Sequence, residues 1–365
     1  MNVVLLKSSI GSKGGLEKIT KRFIKALIEK GCQVTLLTTV SPKKPLPTLH
    51  PDLNVVVLGK EGPLSFWNLL FFDYKVKQWL KENPHEVVFG FDRNSYQTHI
   101  RAGNGCHAAY LKLRQESWLK RLSFKINPLH RTLLYLEKKG FENPSLKTLF
   151  TNSHLVKKQI LENYKVPPEK IEVLYNAVEW TDFQKPFDDS FQVRAAKRLE
   201  WGIPEDHFIL LFAGHGYKRK GLYLLIEALK NYPKVTLLVV GKDKSLPPSE
   251  GNIRFFGSQE SLIPFLQTAD SLCIPSLYDP FANVTLEALS LGLFICSSVF
   301  NGGSEILTPS SGVIIENLFS LTSFCKALDV TCGHPKTPLS AASIRENVKD
   351  FDFTKQMQRM VSYAS

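Results

Sequence analysis

Short apolar runs alternate with amphipathic stretches along most of this chain, and that alternation limits the folds open to it. Asn2–Leu6 and residues 33–39 have the apolar character of buried strands, and between them Leu16, Ile19 and Phe23 recur at helical spacing. A strand followed by a helix and then by another strand builds parallel sheets with helices on both faces. The sequence therefore predicts an α/β fold.

The series of strands and helices is interrupted at residues 175–187, where Asn176 and Pro186 break the periodicity. With 365 residues and 43% apolar content, the chain is long enough to bury two cores. We predict one domain over residues 1–178 and a second over residues 179–351. The predicted strands are residues 2–6, 33–39, 54–58, 86–90, 147–152 and 170–174 in the first domain, and residues 208–213, 235–240, 253–256, 271–275, 294–297 and 312–315 in the second.

The net charge of +12, from 46 basic and 34 acidic residues, favours anionic partners. Nucleic acid, phosphorylated small molecules and the anionic cytoplasmic leaflet of a membrane all fit that charge. Basic residues are densest over residues 101–139, where apolar residues interleave with them, and we predict one or two basic amphipathic helices broken near Asn127 and Pro128. Such a face binds an anionic membrane surface. Alternatively, its apolar side packs into the core and its basic side is only solvated.

The lengths of the apolar runs and the spacing of the cysteines indicate the compartment and redox state of the protein. No apolar run approaches the roughly 18 residues that a membrane span needs, and no N-terminal signal is visible, so we expect a cytoplasmic protein. The six cysteines show no C-x-x-C pair and no zinc-site spacing, which predicts reduced core residues. Cys106, in a Gly-rich turn, is the exception for which a nucleophilic role stays open.

The segment with the most informative chemistry is residues 278–287, which read Tyr-Asp-Pro-Phe-Ala-Asn-Val-Thr-Leu-Glu. Asp279 is a good helix-cap residue and Pro280 is tolerated in a first helical turn. Residues 285–291 carry the apolar spacing of a helix, which Gly292 closes. We therefore predict a helix that starts just after Asp279.

A nucleotide sugar suits this helix start. Helix N-termini bind anions through unpaired N–H groups, so we expect the amides of Ala282, Asn283 and Val284 to point at a pyrophosphate. Glu287 could accept hydrogen bonds from both ribose hydroxyls, and Asp279 could accept them from a sugar ring. The alternative is that Asp279 merely caps the helix and Glu287 lies on a solvated face.

A basic loop follows the first strand of the second half. Between Gly214 and Gly221, three cations stand together: Lys218, Arg219 and Lys220. A departing diphosphate gathers negative charge, so a fixed Arg and Lys would stabilise the transition state more than the ground state. We expect Arg219 and Lys220 to do so; a solvated basic loop is the alternative.

Residues 278–287 resemble the E-x7-E region of the retaining glycosyltransferases of family 4, with Asp279 where the family usually has Glu. The resemblance covers nearly the whole chain. It implies the GT-B fold, in which two Rossmann-like parallel-sheet domains face each other across a cleft, the first binding the acceptor and the second the nucleotide-sugar donor. A terminal helix, here at about residues 352–365, would pack back on the first domain.

The resemblance also assigns further site residues. Gly14 and Gly15 match the family's Gly-rich loop, where the backbone approaches the donor, and residues 301–305 resemble its G-G-x-x-E turn, in which Gly302 permits close approach. Asn104 and His107 lie where family members hold a residue over the reacting carbon. The basic residues Arg219 and Lys220 match positions that bind the donor pyrophosphate.

Residues 96–151 are similar to the lipopolysaccharide core glucosyltransferases. This implies retaining transfer of a hexose, with glucose expected, from a UDP-sugar to a lipopolysaccharide-core or other envelope acceptor at the inner membrane face. Neither a metal nor another cofactor is expected. A GT-B sugar-nucleotide epimerase is the first alternative. A nucleic-acid-binding protein is the second, suggested by charge alone and without a reader motif.

Overall fold

The computed structural model describes residues 1–10, 15–40, 49–114, 123–247 and 251–364 of the chain. These residues form two compact units. Unit 1 comprises Met1–Leu174 and Thr354–Ser365, and unit 2 comprises Tyr175–Phe353. The predicted boundaries were 178/179 and 351/352, so each lies within four residues of a boundary between the units.

Unit 1 is built on a seven-stranded parallel sheet in the order β3-β2-β1-β4-β5-β6-β7. Its strands are β1 (Asn2–Leu6), β2 (Gln33–Val40), β3 (Asn54–Lys60), β4 (Val87–Gly90), β5 (His99–Arg101), β6 (Thr148–Thr151) and β7 (Ile171–Val173). Its helices are α1 (Gly15–Glu29), α2 (Ser65–Glu82), α3 (His107–Leu113), α4 (Pro128–Phe141) and α5 (His154–Asn163), with a 3₁₀ turn at Pro168–Lys170. The central strands are buried because helices cover both faces of a parallel sheet.

Unit 2 is built on a six-stranded parallel sheet in the order β10-β9-β8-β11-β12-β13. Its strands are β8 (Phe208–Ala213), β9 (Val235–Val240), β10 (Ile253–Gly257), β11 (Ser271–Ile274), β12 (Phe294–Ser298) and β13 (Gly312–Ile315). Its helices are α6 (Gln184–Asp188), α7 (Ser190–Glu200), α8 (Tyr217–Lys220), α9 (Leu222–Leu229), α10 (Ile263–Thr268), α11 (Asn283–Ser290), α12 (Leu321–Cys332) and α13 (Pro338–Glu346), with 3₁₀ turns at Thr181–Phe183 and Gly302–Ile306. Two apolar clusters, one on each side of the sheet, form the core.

The last helix, α14 (Phe353–Ala364), belongs to unit 1 from Thr354 onward. The ring of Tyr363 meets Phe150 of β6 edge-on, with 5.2 Å between ring centroids. Arg359 lies 3.5 Å from the carboxylate of Glu172 in β7. The C-terminal segment therefore completes the unit that the N-terminal half begins.

The predicted strands are all present, with ends that shift by at most two residues. Three groups of elements were not predicted. Strand β5 has polar residues at two of its three positions, His99 and Arg101, so it lacked an apolar run. Residues 181–188, which mostly fall in the predicted interruption at 175–187, are helical. Helices α7, α12 and α13 were not predicted either.

Candidate active site

The basic loop after β8 is a tight turn that depends on glycine. Gly216 and Gly221 have φ values of 78° and 79°, in the left-handed region that residues with a side chain rarely adopt. A Cβ at Gly221 would also collide with the carbonyl oxygen of Pro275, just after β11. Only glycine lets the loop press against this strand end, which brings α8 beside the segment that follows β11.

Lys220 and Asp279 form an ion pair at that contact. The ammonium group of Lys220 bonds the Oδ2 atom of Asp279, and the two side chains are 12% and 10% exposed. Arg219 Nη1 lies 3.8 Å from the same oxygen and donates to the carbonyl of Tyr278 at 3.0 Å. One carboxylate thus faces two cations, and the trio keeps a net positive charge that a pyrophosphate would complement.

The backbone around Asp279 differs from the prediction of a helix cap. The Asp279 amide donates to the Phe300 carbonyl at 2.9 Å, and the Asp279 carbonyl accepts from the Gly302 amide at 3.0 Å. These bonds form a short parallel bridge between Asp279 and Asn301. The prediction that Asp279 caps the helix was therefore wrong, because this strand-like bridge holds its backbone three residues before the N-cap, Ala282.

The start of α11 also differs in part from expectation. The Ala282 amide donates to Asn301 Oδ1 at 3.1 Å, so it does not point at an anion, as had been predicted. Asn301 Oδ1 accepts a second bond from the Gly303 amide at 3.1 Å. The amides of Asn283 and Val284 lie in the first turn, where a helix supplies no acceptor of its own, and they stay the predicted anion-binding groups.

Asn283 and Glu287 form the open strip of α11. They stand one turn apart on one side of the helix, Asn283 exposed and Glu287 half-buried, while most other residues of the helix are buried. The Asn283 side chain is held by Asn176, whose Nδ2 donates to its Oδ1 at 2.6 Å. Asn176 is 6% exposed and belongs to unit 2. The strip places the Glu287 carboxylate one turn beyond the Asn283 side chain.

Gly214 and Gly302 lie close to the same cluster in unit 2. The aliphatic chain of Lys220 covers Gly214, since a Cβ there would lie 3.2 Å from Lys220 Cε. Gly302 is buried, and its amide donates to the Asp279 carbonyl. The structure thus brings together Arg219, Lys220, Asp279, Asn283, Val284, Glu287, Gly214 and Gly302, all within unit 2.

The remaining predicted residues belong to unit 1. Gly15 is the first residue of α1, and Gly14 lies outside the described residues. Asn104 is exposed in the turn between β5 and α3. His107 is the first residue of α3 and is 8% exposed. The two halves of the predicted site are therefore carried by different units.

His107 is held by a buried carboxylate that the sequence did not single out. The His107 amide donates to both oxygens of Glu137, at 2.8 and 3.0 Å. Glu137 also accepts from Arg93 Nε at 2.8 Å and from the Tyr164 hydroxyl at 2.7 Å, and its side chain is 0% exposed. No spacing rule links residues 93, 137 and 164, so only the fold reveals this network.

Protonation in this network bears on two predicted roles. Burial, with the charges of Arg93 and His130, lowers the pKa of His107 to about 3, so its imidazole is neutral at physiological pH. His107 Nε2 lies 3.1 Å from His130 Nδ1. Burial and the Glu137 charge raise the pKa of Cys106 to about 11, and the residue is 0% exposed. Cys106 is a protonated core thiol, which excludes the nucleophilic role.

The basic amphipathic segment is described in part, because residues 115–122 lie outside the described ranges. Helix α4 starts at Pro128 with Asn127 as its N-cap, at the position where a helix break was predicted. Its apolar residues Leu136 and Phe141 are buried in unit 1, and its basic side is exposed. In α4, therefore, the apolar face packs into the core.

The described residues contain neither a metal-site cluster nor a membrane-spanning helix. Among them, no three His, Cys, Asp or Glu side chains cluster as a metal site would require. None of the helices in the described part of the chain is long and apolar enough to cross a membrane.

Known protein families match both halves of the chain. Residues 13–180 match the model described as Glycosyltransferase Family 4, and residues 193–330 match the model described as Glycosyl transferases group 1. The lipopolysaccharide glucosyltransferase WaaG of Escherichia coli (strain K12) is 28% identical over 262 residues, which cover 67% of this chain and 67% of that protein. For two further relatives the chain spans 44% and 45% of their length.

Solved structures agree with the fold over the whole chain. The crystal structure of WaaG has a TM-score of 0.77 at 21% identity, and the match covers 100% of this chain and 99% of that one. The structure of Anabaena Alr3699/HepE in complex with UDP-glucose has a TM-score of 0.67 at 15% identity, with the same coverage. Given the two parallel sheets and both matches, the chain is a glycosyltransferase with the GT-B fold that contains a family 4 domain and a group 1 domain.

Proposed function

We propose that this protein is a retaining hexosyltransferase that moves glucose from UDP-glucose to a saccharide or glycolipid acceptor of the lipopolysaccharide core, at the cytoplasmic face of the membrane. The observation that carries the proposal is the cluster in unit 2, where Lys220 and Arg219 lie at the Asp279 carboxylate and α11 starts four residues beyond it. Support for the donor comes from HepE, a structural neighbour solved with UDP-glucose, and support for the acceptor comes from WaaG.

Each group in unit 2 has a role in this proposal. Arg219 and Lys220 take up the negative charge that the UDP leaving group gathers, assisted by the amides of Asn283 and Val284. Glu287 accepts hydrogen bonds from the ribose hydroxyls. Asp279 orients the sugar ring, while its Oδ2 atom holds Lys220 in place.

The same ion pair supports retention by attack on the face that the leaving group vacates. A carboxylate that is partly neutralised by Lys220 and Arg219 is a weak nucleophile and a weak base. We therefore assign the role of base to the departing phosphate rather than to Asp279. Because two cations and a helix start supply the positive charge, we propose transfer without a metal ion.

Unit 1 carries the proposed acceptor and membrane functions. It contains 30 of the 46 Lys and Arg residues but 14 of the 34 acidic residues, whereas unit 2 contains 16 and 20. The net positive charge thus lies entirely in unit 1, which suits an anionic acceptor and an anionic membrane surface. Asn104 and neutral His107 are the proposed acceptor contacts, and we assign a donor contact to the glycine pair Gly14 and Gly15.

A donor screen tests the proposal. We expect UDP-glucose to raise the midpoint of thermal unfolding more than UDP-galactose, GDP-mannose or ADP-glucose at equal concentration, because ligands that bind only the folded state stabilise it. UDP should then be released from UDP-glucose when a lipopolysaccharide-core acceptor is added, and the new linkage should keep the α configuration of the donor. Release of UDP at equal rates with and without acceptor would contradict transfer.

A further inference from the structure

Helix α2 in unit 1 carries a stripe of exposed apolar side chains. Leu64, Trp67, Phe71 and Tyr74 follow one another at intervals of three, four and three residues, which places them on one side of the helix. They are 51%, 58%, 36% and 57% exposed. We call these four residues the α2 stripe. Exposed large apolar residues are common singly, but a continuous row of four indicates a binding surface.

The α2 stripe is held rigidly by the fold. The ring of Phe71 lies against Gly59 of the edge strand β3, where a Cβ would come within 2.7 Å of Phe71 Cζ. On the opposite side of the helix, Phe72 and Val76 are 1% and 0% exposed, which anchors α2 in the core. The stripe is therefore a preformed surface and does not need to be ordered when a partner binds.

Cations outnumber carboxylates near the stripe, although Glu61 follows Lys60 and Glu82 follows Lys81. Lys75 Nζ lies 5.7 Å from the centre of the Phe71 ring, Lys81 is in the last turn of α2, and Lys60 is exposed at the end of β3. Helix α2 packs against α4, whose exposed residues include Arg131, Tyr135, Lys138 and Lys139. Aromatic residues beside cations are typical of surfaces that lie at a lipid–water interface.

We propose that the α2 stripe inserts into the interface of an anionic membrane and anchors unit 1 there. Helix α4 provides charge, but Leu136 and Phe141 on its apolar side are buried and cannot enter lipid. Helix α2 provides a row of exposed apolar groups, whereas Tyr135 is the one large apolar side chain that α4 exposes. A second copy of the chain is a poorer occupant, because pairing would bring together two units that each carry 30 basic and 14 acidic residues. The inference relies on the proposed function only for the membrane setting of the enzyme.

The test measures binding of the full chain to vesicles by co-sedimentation. We expect strong binding to vesicles of mixed phosphatidylglycerol and phosphatidylcholine and weak binding to phosphatidylcholine alone. The double variant Trp67→Ser/Tyr74→Ser should lower the partition coefficient at least ~10-fold, because two interfacial aromatic anchors are lost. The matched control is Leu199→Ser/Leu339→Ser in unit 2, which alters two residues that are 85% and 83% exposed and should leave binding unchanged.

Two further measurements separate the outcomes. Trp67→Phe keeps an apolar ring, so it should still bind, but it should lose much of the fluorescence quenching that brominated lipids cause in the wild type. Light scattering reports whether Trp67→Ser/Tyr74→Ser converts a dimer into a monomer. Unchanged vesicle binding by the folded double variant, unchanged quenching in Trp67→Phe, or such a change in mass would overturn the proposal.

Failure of this inference can be told apart from failure of the proposed function. Binding of UDP-glucose, measured by calorimetry without lipid, depends on unit 2 and should be the same in the wild type and in Trp67→Ser/Tyr74→Ser. A chain that binds vesicles through the stripe but no nucleotide sugar would contradict the function alone. A chain that binds UDP-glucose but shows no stripe-dependent vesicle binding would contradict the inference alone.

Discussion

Lys220 and Asp279 are bonded to each other across 59 positions of the sequence, and Asp279 stands where the resemblance to family 4 leads us to expect Glu. The pair is mostly buried, which strengthens the attraction and fixes the lysine ammonium beside the start of α11. In our proposal the Asp279 side chain, one methylene shorter than Glu, has two roles. It positions the Lys220 ammonium group that binds the leaving group, and it limits how far the carboxylate reaches toward the sugar.

Replacement of Lys220 should slow the chemical step. We expect Lys220→Ala to lower kcat about 100- to 1000-fold, since a positioned charge at the developing anion is lost. Lys218→Ala is the matched control, because Lys218 is an exposed cation of the same four-residue helix. The measurement is kcat from UDP release, with circular dichroism to confirm the fold. Wild-type turnover in Lys220→Ala would remove the leaving-group assignment.

The effects of changing Lys220 and Asp279 should not add. Each single change to Ala leaves its partner charged and partly buried, whereas the double change removes both charges. We expect a coupling of about 1–3 kcal/mol in UDP binding measured by calorimetry across the four proteins of the cycle. Additive effects would show that the ion pair has no part in organising the donor site.

Glu287→Gln should weaken donor binding through the ribose. Loss of charge-assisted hydrogen bonds to the two hydroxyls should raise the Kd for UDP about tenfold. The same variant should discriminate less between UDP and 2′-deoxy-UDP than the wild type does, because the acceptor of the 2′ hydroxyl is weakened. Glu227→Gln, at a 61% exposed side chain on α9, is the control. Equal Kd values for Glu287→Gln and wild type would contradict the ribose assignment.

A chelator should leave the reaction rate unchanged. Our proposal assigns the charge of the leaving group to Arg219, Lys220 and the first-turn amides of α11, so no divalent ion is required. Initial rates measured after dialysis against EDTA should equal those with added Mg²⁺ or Mn²⁺. A rate that falls on chelation and returns with one of these ions would show that a divalent ion neutralises the charge of the leaving group.

Lys336 should make stability depend on pH between about 7 and 10.5. Burial, with the charge of Arg194 and opposed by Asp270, lowers the pKa of Lys336 from 10.5 to about 7. The unfolded chain therefore binds more protons than the folded chain between these values, so stability rises with pH across the window, and Lys336 adds no pH dependence below it. Lys336→Met should reduce this dependence of stability on pH, measured as urea midpoints from pH 6 to 10. Parallel curves for variant and wild type would contradict the assignment.

Elements with strong local patterns could be predicted from the sequence, and elements that depend on distant partners could not. The apolar runs of β1, β8 and β9 were sufficient to locate them, because a strand buried on both faces needs an uninterrupted apolar stretch. Strand β5 has no such run; it exists because β4 and β6 flank it in the sheet. The proposed donor residues could be predicted from the sequence because they are clustered in short segments around Gly214 and Asp279.

Local chemistry in the amino-acid sequence was enough to indicate two α/β domains, a basic loop and an acidic helix start, since propensity and periodicity act over a few residues. The backbone role of Asp279, the use of the Ala282 amide by Asn301, the Glu137 network around His107 and the exposure of the α2 stripe arose from folding. Each of these depends on groups far apart in the chain, whose meeting is set by how strands and helices pack rather than by any local preference.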